Sequence, residues 1–265
     1  MNEFEQAYSA PQERQPIEQP AQPSNPMQAY SNVNKANGYG KKNKKFNSKT
    51  DIIEPEEVNV ESLIRFARTF AAISEKEIPK ELLPNIDLIV EELESKKFTM
   101  RVDYSNRNPL GTELASRYGN QAAFLPFGEF GGGPKDAEIS FPTEKAHKIA
   151  LGMEIDKVKL IHERMKKPFN QTDFMDDYNA QRNFFKLLNA QRAHIFFGKE
   201  CDTALNLMII YTESGVETPD KLDFKKDGYT ISDTVKYCSD FAIPVFNLKN
   251  DDVVTRIREF LNTFN

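Results

Sequence analysis

The stretch ALNLMIIY, residues 204–211, is apolar almost throughout, and polar residues flank it on both sides. A continuous apolar run of this length is typical of a strand in a parallel sheet, because helices cover such a strand on both faces. We therefore predict a central parallel strand over residues 204–211.

The segments that follow this run alternate between helical and strand patterns. A long polar loop at 212–228 ends in a glycine, and a helix is predicted from about 231 to 240. Residues 243–248 have the pattern of a further strand. The spacing of apolar residues over 253–264 predicts a closing amphipathic helix.

The segments that precede the run show the same two kinds of pattern. Helices are predicted at 80–95, 114–118, 143–166 and 173–189, and strands at 98–104 and 122–127. A further helix is predicted from Val60, with Asn59 as its N-cap, because apolar residues recur there at helical spacing. These apolar residues are Leu63, Phe66, Ala67, Phe70 and Ile73.

Strands that alternate with helices indicate a parallel sheet with right-handed crossover connections. We therefore predict the fold class α/β, with one domain and a mostly parallel sheet over residues 51–265. Residues 1–50 are rich in Pro, Gln, Asn, Ser and Gly, and they show no apolar periodicity. For these residues we predict a disordered tail.

Charge is distributed unevenly along the chain, whose formal net charge is −5. Residues 1–34 have a net charge of −3, residues 35–50 a net charge of +6 with no acidic residue, and the remainder a net charge of −8. A short basic segment therefore joins a polar tail to an acidic body. Blocks of like charge are commonly interaction tails or solvated spacers.

The basic segment is a candidate nucleic-acid-binding site. Lysines neutralise phosphates and release counterions, and aromatic side chains between them stack on unpaired bases. The alternatives are a solubilising linker and a site for an acidic protein, including the acidic body of this chain. The candidate residues are Lys41, Lys42, Lys44, Lys45, Phe46 and Lys49.

Composition argues against disulfide-rich, zinc-binding and membrane-spanning proteins. Two cysteines and three scattered histidines argue against a disulfide scaffold or a Cys/His zinc module. We accordingly expect no metal and no cofactor. No apolar run approaches the roughly 18 residues of a membrane span, and no signal peptide opens the chain. The sequence therefore predicts a soluble cytoplasmic protein without a membrane partner.

Five short motifs follow one another along the chain in an order that is characteristic of a known superfamily. They are FTMRVDYSNRNPLGTELAS at 98–116, Leu125-Pro126-Phe127 with Phe130, Arg182-Asn183, Gly228-Tyr229-Thr230, and IPVFNL at 243–248. In this order they resemble the SLOG superfamily of Rossmann-like proteins, which includes the DNA-processing protein DprA and the cytokinin-activating LOG enzymes. The likeness is nearest to a subgroup common in bacteriophages and prokaryotes.

The resemblance implies a Rossmann-like domain with a ligand crevice at the carboxyl ends of its parallel strands. Arginines in such a crevice bind phosphate through two parallel hydrogen bonds. The alternative is a degenerate pocket whose polar residues only cap helices. The crevice residues that the resemblance implies are Ser105, Asn106, Arg107, Gly111, Thr112, Arg182, Asn183, Thr212, Gly228 and Thr230.

The chain departs from the superfamily pattern in its glycines. The turn at 105–112 keeps only Gly111, and Pro109 removes a backbone donor there. The PGGxGTxxE motif of the LOG phosphoribohydrolases is absent. Because backbone N–H groups reach a phosphate most readily where no Cβ intervenes, we expect no catalytic residues and no enzymatic activity.

Three functions are therefore expected, in this order. The first is a non-enzymatic nucleic-acid-binding protein, with single-stranded DNA favoured, acting as an accessory factor in phage DNA replication or transcription. The second is a nucleotide sensor or phosphoribohydrolase-like enzyme that uses the crevice. The third is a scaffold that docks through the N-terminal tail on a phage replication or transcription protein. A homodimer is expected by analogy with the superfamily alone.

Overall fold

A computed structural model describes residues 54–103, 108–124, 138–140, 143–180 and 183–264. The tail predicted over residues 1–50 lies outside the described residues, and so does its lysine-rich part. The domain boundary predicted at residue 51 therefore stays a prediction.

A six-stranded sheet forms the centre of the fold. Its strands lie in the order β4-β3-β2-β1-β5-β6, and every neighbouring pair is parallel. This confirms the α/β prediction. The strands are β1 (Thr69–Ser74), β2 (Thr99–Val102), β3 (Gln121–Phe124), β4 (Glu138–Ser140), β5 (Leu207–Tyr211) and β6 (Val245–Asn247).

Eight α-helices accompany these strands in the described residues. They are α1 (Leu83–Ser95), α2 (Pro109–Ala115), α3 (Glu144–Arg164), α4 (Gln171–Ala180), α5 (Asn183–Phe197), α6 (Phe224–Asp227), α7 (Tyr229–Asp240) and α8 (Val253–Leu261). The helices predicted at 80–95, 143–166, 231–240 and 253–264 are confirmed to within a few residues. The helix predicted at 173–189 is replaced by α4 and α5, and the short helix begins at Pro109 instead of residue 114.

Strand β5 has the environment that its apolar sequence predicts. All five of its residues are buried, and it pairs with β1 on one side and β6 on the other. Met208 and Ile210 pack into the core on one face of the sheet, and Leu207 and Ile209 pack into the core on the other. The strand begins three residues later than the predicted run.

The helix predicted from Val60 is wrong over most of its length. Only Val60–Ser62 is helical, as a single 3-10 turn, although Asn59 does cap it by accepting a hydrogen bond from the Glu61 N–H. Residues 69–74 form β1, which pairs with β2 and β5. The apolar run Phe70–Ile73 fits a buried strand as well as a helix face, and the neighbouring strands on both sides decide between them.

The strand order places a switch point between β1 and β5. The chain adds β2, β3 and β4 successively on one side of β1, and then returns to place β5 on its other side. In open α/β sheets, ligands bind outside the carboxyl ends of the strands at such a point. A ligand site is therefore expected beside the segments that follow β1 and β5.

Candidate functional site

One side of this crevice is formed by the start of α2, where Asn108 joins the helix to β1. The Asn108 Oδ1 atom accepts hydrogen bonds from the Gly111 N–H at 2.9 Å and the Ser74 N–H at 3.1 Å. Its Nδ2 atom donates to the Ala72 carbonyl at 2.9 Å. Asn108 is only 6% exposed. Asn108 is therefore the N-cap of α2, and its buried side chain also connects α2 to β1.

Gly111 lies where this cap comes closest to the helix. A Cβ atom at Gly111 would lie 2.2 Å from the Asn108 Nδ2 atom, so a larger residue would displace the cap. The Gly111 N–H is bonded to Asn108, and the Thr112 N–H is bonded to the Asn108 carbonyl. The backbone donors predicted to bind phosphate here are thus already used within the chain.

The other side of the crevice is the N-terminus of α7, and the carboxylate of Glu75 occupies it. Glu75 directly follows β1, and its Oε1 atom accepts hydrogen bonds from the Thr230 N–H at 2.5 Å and the Ile231 N–H at 3.3 Å. The N-terminus of a helix favours negative charge, which an external phosphate or a side-chain carboxylate supplies equally well. Here the chain supplies the anion itself.

Gly228 makes this contact possible. It has a φ of +99°, which a residue with a Cβ rarely adopts, and a Cβ there would lie 2.5 Å from the Glu75 carboxyl carbon. Gly228 therefore permits the close approach of Glu75 to the helix. The resemblance implies a phosphate-binding role for this glycine, and the structure shows it beside a carboxylate of the same chain.

A cavity of about 310 Å³ lies beside this contact, between the sheet, α5 and α7. Its apolar side includes Ala71, Ile73 and Met208 of the sheet and Phe196 of α5. The lining also includes hydrogen-bonding side chains. These are Asp103, Asn108, Asn189, Gln191, Arg192, Thr230, Asp233 and Thr234, with Lys157 and Tyr229 at one end.

The cations at this end of the cavity are balanced by carboxylates. The Arg192 Nη1 atom lies 2.7 Å from the Asp233 Oδ2 atom, and the Lys157 Nζ atom lies 3.5 Å from the same oxygen. Lys157 also pairs with Glu154 at 3.2 Å. Burial acts to lower the pKa of Arg192, but the charge and hydrogen bond of Asp233, together with Tyr237 and Glu154, raise that pKa overall. The ion pairs thus satisfy these cations within the chain.

Arg101 has a structural role at the end of α5. Its Nη1 atom donates to the carbonyls of Ile195 and Phe196, each at 3.1 Å. Burial lowers the pKa of Arg101 to about 10, which leaves the guanidinium charged at neutral pH. A cation at a helix C-terminus complements the helix dipole, so Arg101 stabilises the helix from within the core.

The structure places only some of the predicted crevice residues. Gly111, Thr112, Thr212, Gly228 and Thr230 lie near the carboxyl ends of β1, β2 and β5, and Asn183 begins α5. The other predicted residues lie outside the described residues. They are Ser105, Asn106, Arg107 and Arg182 of the crevice, and Lys41, Lys42, Lys44, Lys45, Phe46 and Lys49 of the tail.

Sequence reasoning missed Glu75, Asn108, Arg192 and Asp233. Asn108 stands directly before Pro109, and an N-cap residue followed by proline at the first helical position is a recognisable helix start. Glu75 was missed because β1 was assigned to a helix, which hid the loop after the strand. The pairing of Arg192 with Asp233 has no local signal, because the two residues belong to different helices.

The described residues contain no group of three or more His, Cys, Asp or Glu side chains that would hold a metal ion. Burial and the charges of His194 and Lys186 lower the pKa of His147 to about 4. Both cysteines are buried and unpaired, and burial raises the pKa of the Cys201 thiol to about 12. None of the described helices is long and apolar enough to cross a membrane.

Comparisons of the chain with family models, with curated proteins and with solved structures found no match. The Rossmann-like α/β fold rests on the strand order and the covering helices. The resemblance to the SLOG superfamily stays a prediction, and so does every function that it implies.

Glu75→Ala is expected to lower the free energy of unfolding by about 1 kcal/mol, because it leaves the N-terminus of α7 without its acceptor. Urea denaturation measures the loss. The matched control is Glu77→Ala, an exposed carboxylate two residues away, which is expected to change stability by less than about 0.5 kcal/mol. Equal losses in the two variants would show that Glu75 does not act as a cap.

Proposed function

We propose that the protein binds nucleic acid, with single-stranded DNA favoured, and does not act on it chemically. By resemblance, its role would be that of an accessory factor in phage DNA replication or transcription. The proposal rests on a comparison of the two places where the chain offers groups that bind phosphate: the crevice and the lysine-rich segment.

The observation that carries the proposal is the carboxylate of Glu75 at the N-terminus of α7. A nucleotide phosphate would have to displace this carboxylate and would meet its negative charge nearby. The cations at the neighbouring end of the cavity are already paired with Asp233 and Glu154. This arrangement counts against a nucleotide enzyme and leaves the lysine-rich segment as the stronger anion-binding feature.

The lysine-rich segment offers six positive charges over residues 35–50 with no acidic residue among them. Each lysine that contacts a phosphate releases condensed counterions, which favours binding at low salt. The domain at 51–265 has a net charge of −8 and repels nucleic acid except at a local basic surface. Binding is therefore expected to be strongly salt-dependent and concentrated in few residues.

Replacing Lys41, Lys42, Lys44 and Lys45 by alanine is expected to weaken binding of a labelled oligothymidylate about 100-fold at low salt. Each phosphate contact contributes about 0.7 to the dependence of log K on log salt for a single strand, so the slope should fall by roughly 3. Fluorescence anisotropy of the full chain at several salt concentrations measures both quantities.

The control is a variant with the same change in net charge at four exposed lysines of the folded domain. These are Lys166, Lys167, Lys225 and Lys226. The control variant is expected to bind within about threefold of the unaltered protein. If the unaltered protein binds no oligonucleotide at low salt, or if its affinity is insensitive to salt, the proposed function is wrong.

A second candidate is a sensor for a nucleotide-like ligand, and the cavity of about 310 Å³ at the switch point is the observation that favours it. Such a ligand would raise the melting temperature, because binding to the folded state adds about RT ln(1 + [L]/Kd) of stability. Asn189→Trp would fill the cavity and abolish that rise. A rise that persists in Asn189→Trp would place the ligand elsewhere.

A further inference from the structure

The cavity at the switch point has a buried hydrogen-bond acceptor in Gln191 of α5. Gln191 is only 6% exposed and lines the cavity. Its Nε2 atom donates to the Asp103 carbonyl at 3.1 Å and to the Phe124 carbonyl at 2.6 Å. These bonds fix the orientation of the amide, because a flipped amide would turn its oxygen towards two carbonyl oxygens. The Oε1 atom accepts no hydrogen bond from any described residue, so it is available to a ligand that donates one.

A second uncharged side chain, Asn189, lines the same cavity. It is half-buried, and its amide makes no hydrogen bond within the part of the chain that the structure describes. Because two residues of a helix are about 200° apart around its axis, Asn189 and Gln191 lie at opposite margins of the lining face of α5. The apolar Ile195 and Phe196 lie between them and line the cavity too. The cavity therefore offers hydrogen bonds at two margins, with an apolar strip between them.

The charged groups of the cavity lining, in contrast, are engaged within the chain. Arg192 and Lys157 both pair with Asp233. The Arg101 guanidinium donates to two carbonyls at the C-terminal end of α5, where the helix dipole favours a cation. Asp103 accepts a hydrogen bond from a neighbouring asparagine side chain at 3.4 Å and has a further partner. An ion that entered the cavity would lose its hydration without gaining a free counter-ion from these residues.

We propose that the cavity binds a nucleoside without its phosphate. The base donates an N–H group to the Gln191 Oε1 atom and packs its face against Phe196, and a sugar hydroxyl bonds to the Asn189 amide. The bases carry N–H groups on their edges, and each has a flat face that suits an apolar strip. The volume of about 310 Å³ is at the lower end of the range for ligand sites, which fits a molecule of this size.

A phosphate on the same nucleoside is disfavoured by the carboxylate beside the cavity. Glu75 already occupies the N-terminus of α7, and Thr230, whose N–H it accepts, lines the cavity. A 5′-phosphate there would meet a like charge. This inference rests on the second candidate function, whose ligand it names, and it does not depend on the lysine-rich segment.

Isothermal titration calorimetry of the full chain tests the inference with adenosine, guanosine, cytidine and uridine and with their 5′-monophosphates. At least one nucleoside is expected to bind with a Kd below about 1 mM. Its monophosphate is expected to bind at least about 10-fold more weakly, because it adds a charge that the cavity does not balance.

Two variants assign the binding to the cavity. Asn189→Ala removes an amide without a hydrogen bond to the described residues, so it should fold normally and bind the nucleoside about fivefold more weakly. Gln191→Met removes the Oε1 acceptor and should weaken binding at least about 10-fold. Because Gln191→Met also loses two bonds to carbonyls, Asn189→Ala decides the test if that variant does not fold. The matched control is Asn262→Ala at the end of α8, on the other face of the sheet, which should leave the affinity unchanged.

The inference is overturned if no nucleoside binds, if the monophosphate binds as tightly as its nucleoside, or if Asn189→Ala and Asn262→Ala bind alike. Binding of a monophosphate in preference to its nucleoside would refute the uncharged ligand and leave the second candidate function standing. If neither the nucleosides nor the monophosphates bind, the second candidate function fails as well.

Discussion

Asn108→Ala is expected to lower the free energy of unfolding by about 3 kcal/mol, the largest stability loss of any cap in the described residues. The substitution removes the acceptor of the Ser74 and Gly111 N–H groups and the donor to the Ala72 carbonyl. Each buried group that loses its partner costs about 1–3 kcal/mol. The cavity left beside β1 adds to the loss.

Urea denaturation of the full chain measures this effect through the transition midpoint. The matched control is Asn59→Ala, because Asn59 is also an N-cap but lies exposed at a single 3-10 turn. There the expected loss is about 0.5 kcal/mol. Similar losses for the two asparagines would mean that Asn108 serves only as an ordinary cap and does not join α2 to β1.

Asp233→Ala is expected to lower the free energy of unfolding by about 2–3 kcal/mol. Asp233 has a side chain only 8% exposed, and it balances Arg192, whose side chain is 24% exposed, together with Lys157. Removing one partner of a buried ion pair leaves the other charge uncompensated, which commonly costs 3–5 kcal/mol. We expect less here because Arg192 retains some contact with water.

A double-mutant cycle distinguishes this effect from a loss of packing. If the cost arises from the uncompensated charge, adding Arg192→Met to Asp233→Ala should recover at least about 1 kcal/mol. Additive losses in the double variant would show instead that Asp233 contributes through its packing against α5.

The most predictable part of the fold is the part with a continuous local signal. The run at 204–211 predicts β5 because helices cover both faces of the sheet and every position of the strand is buried. The amphipathic spacing over 143–166 and 253–264 predicts α3 and α8 for a similar reason, since each helix has one face on the core. In these segments, local pattern and tertiary burial agree.

Strand β1 was not predictable in the same way. Phe70 and Ile73 are spaced as on a helix, yet residues 70–73 are also an unbroken apolar run. The choice depends on backbone hydrogen bonds to β2 and β5, which come from distant parts of the chain. Phe66, which precedes β1, is exposed, whereas the predicted helix would have placed it on the face that packs on the core.

In the crevice, the positions of residues were predictable from the sequence, but their hydrogen-bond partners were not. Gly111, Gly228 and Thr230 were predicted to face a phosphate, and they do lie at the carboxyl ends of the strands. Their surroundings could not be predicted, because Asn108 and Glu75 occupy the adjoining helix N-termini. A glycine motif predicts a backbone that an anion is able to approach. It does not predict whether that anion is a ligand phosphate or a carboxylate of the same chain.

The sequence by itself determined the class of fold, most of the helices and strands, and the separation of a basic segment from an acidic domain. These properties depend on the periodicity and charge of neighbouring residues. Only the tertiary structure decided that Glu75 caps a helix 155 residues away, that Arg192 pairs with Asp233, and that Phe66 is exposed. The physical reason is that the reversal of strand order at β1 and β5 brings together segments whose proximity no local pattern encodes.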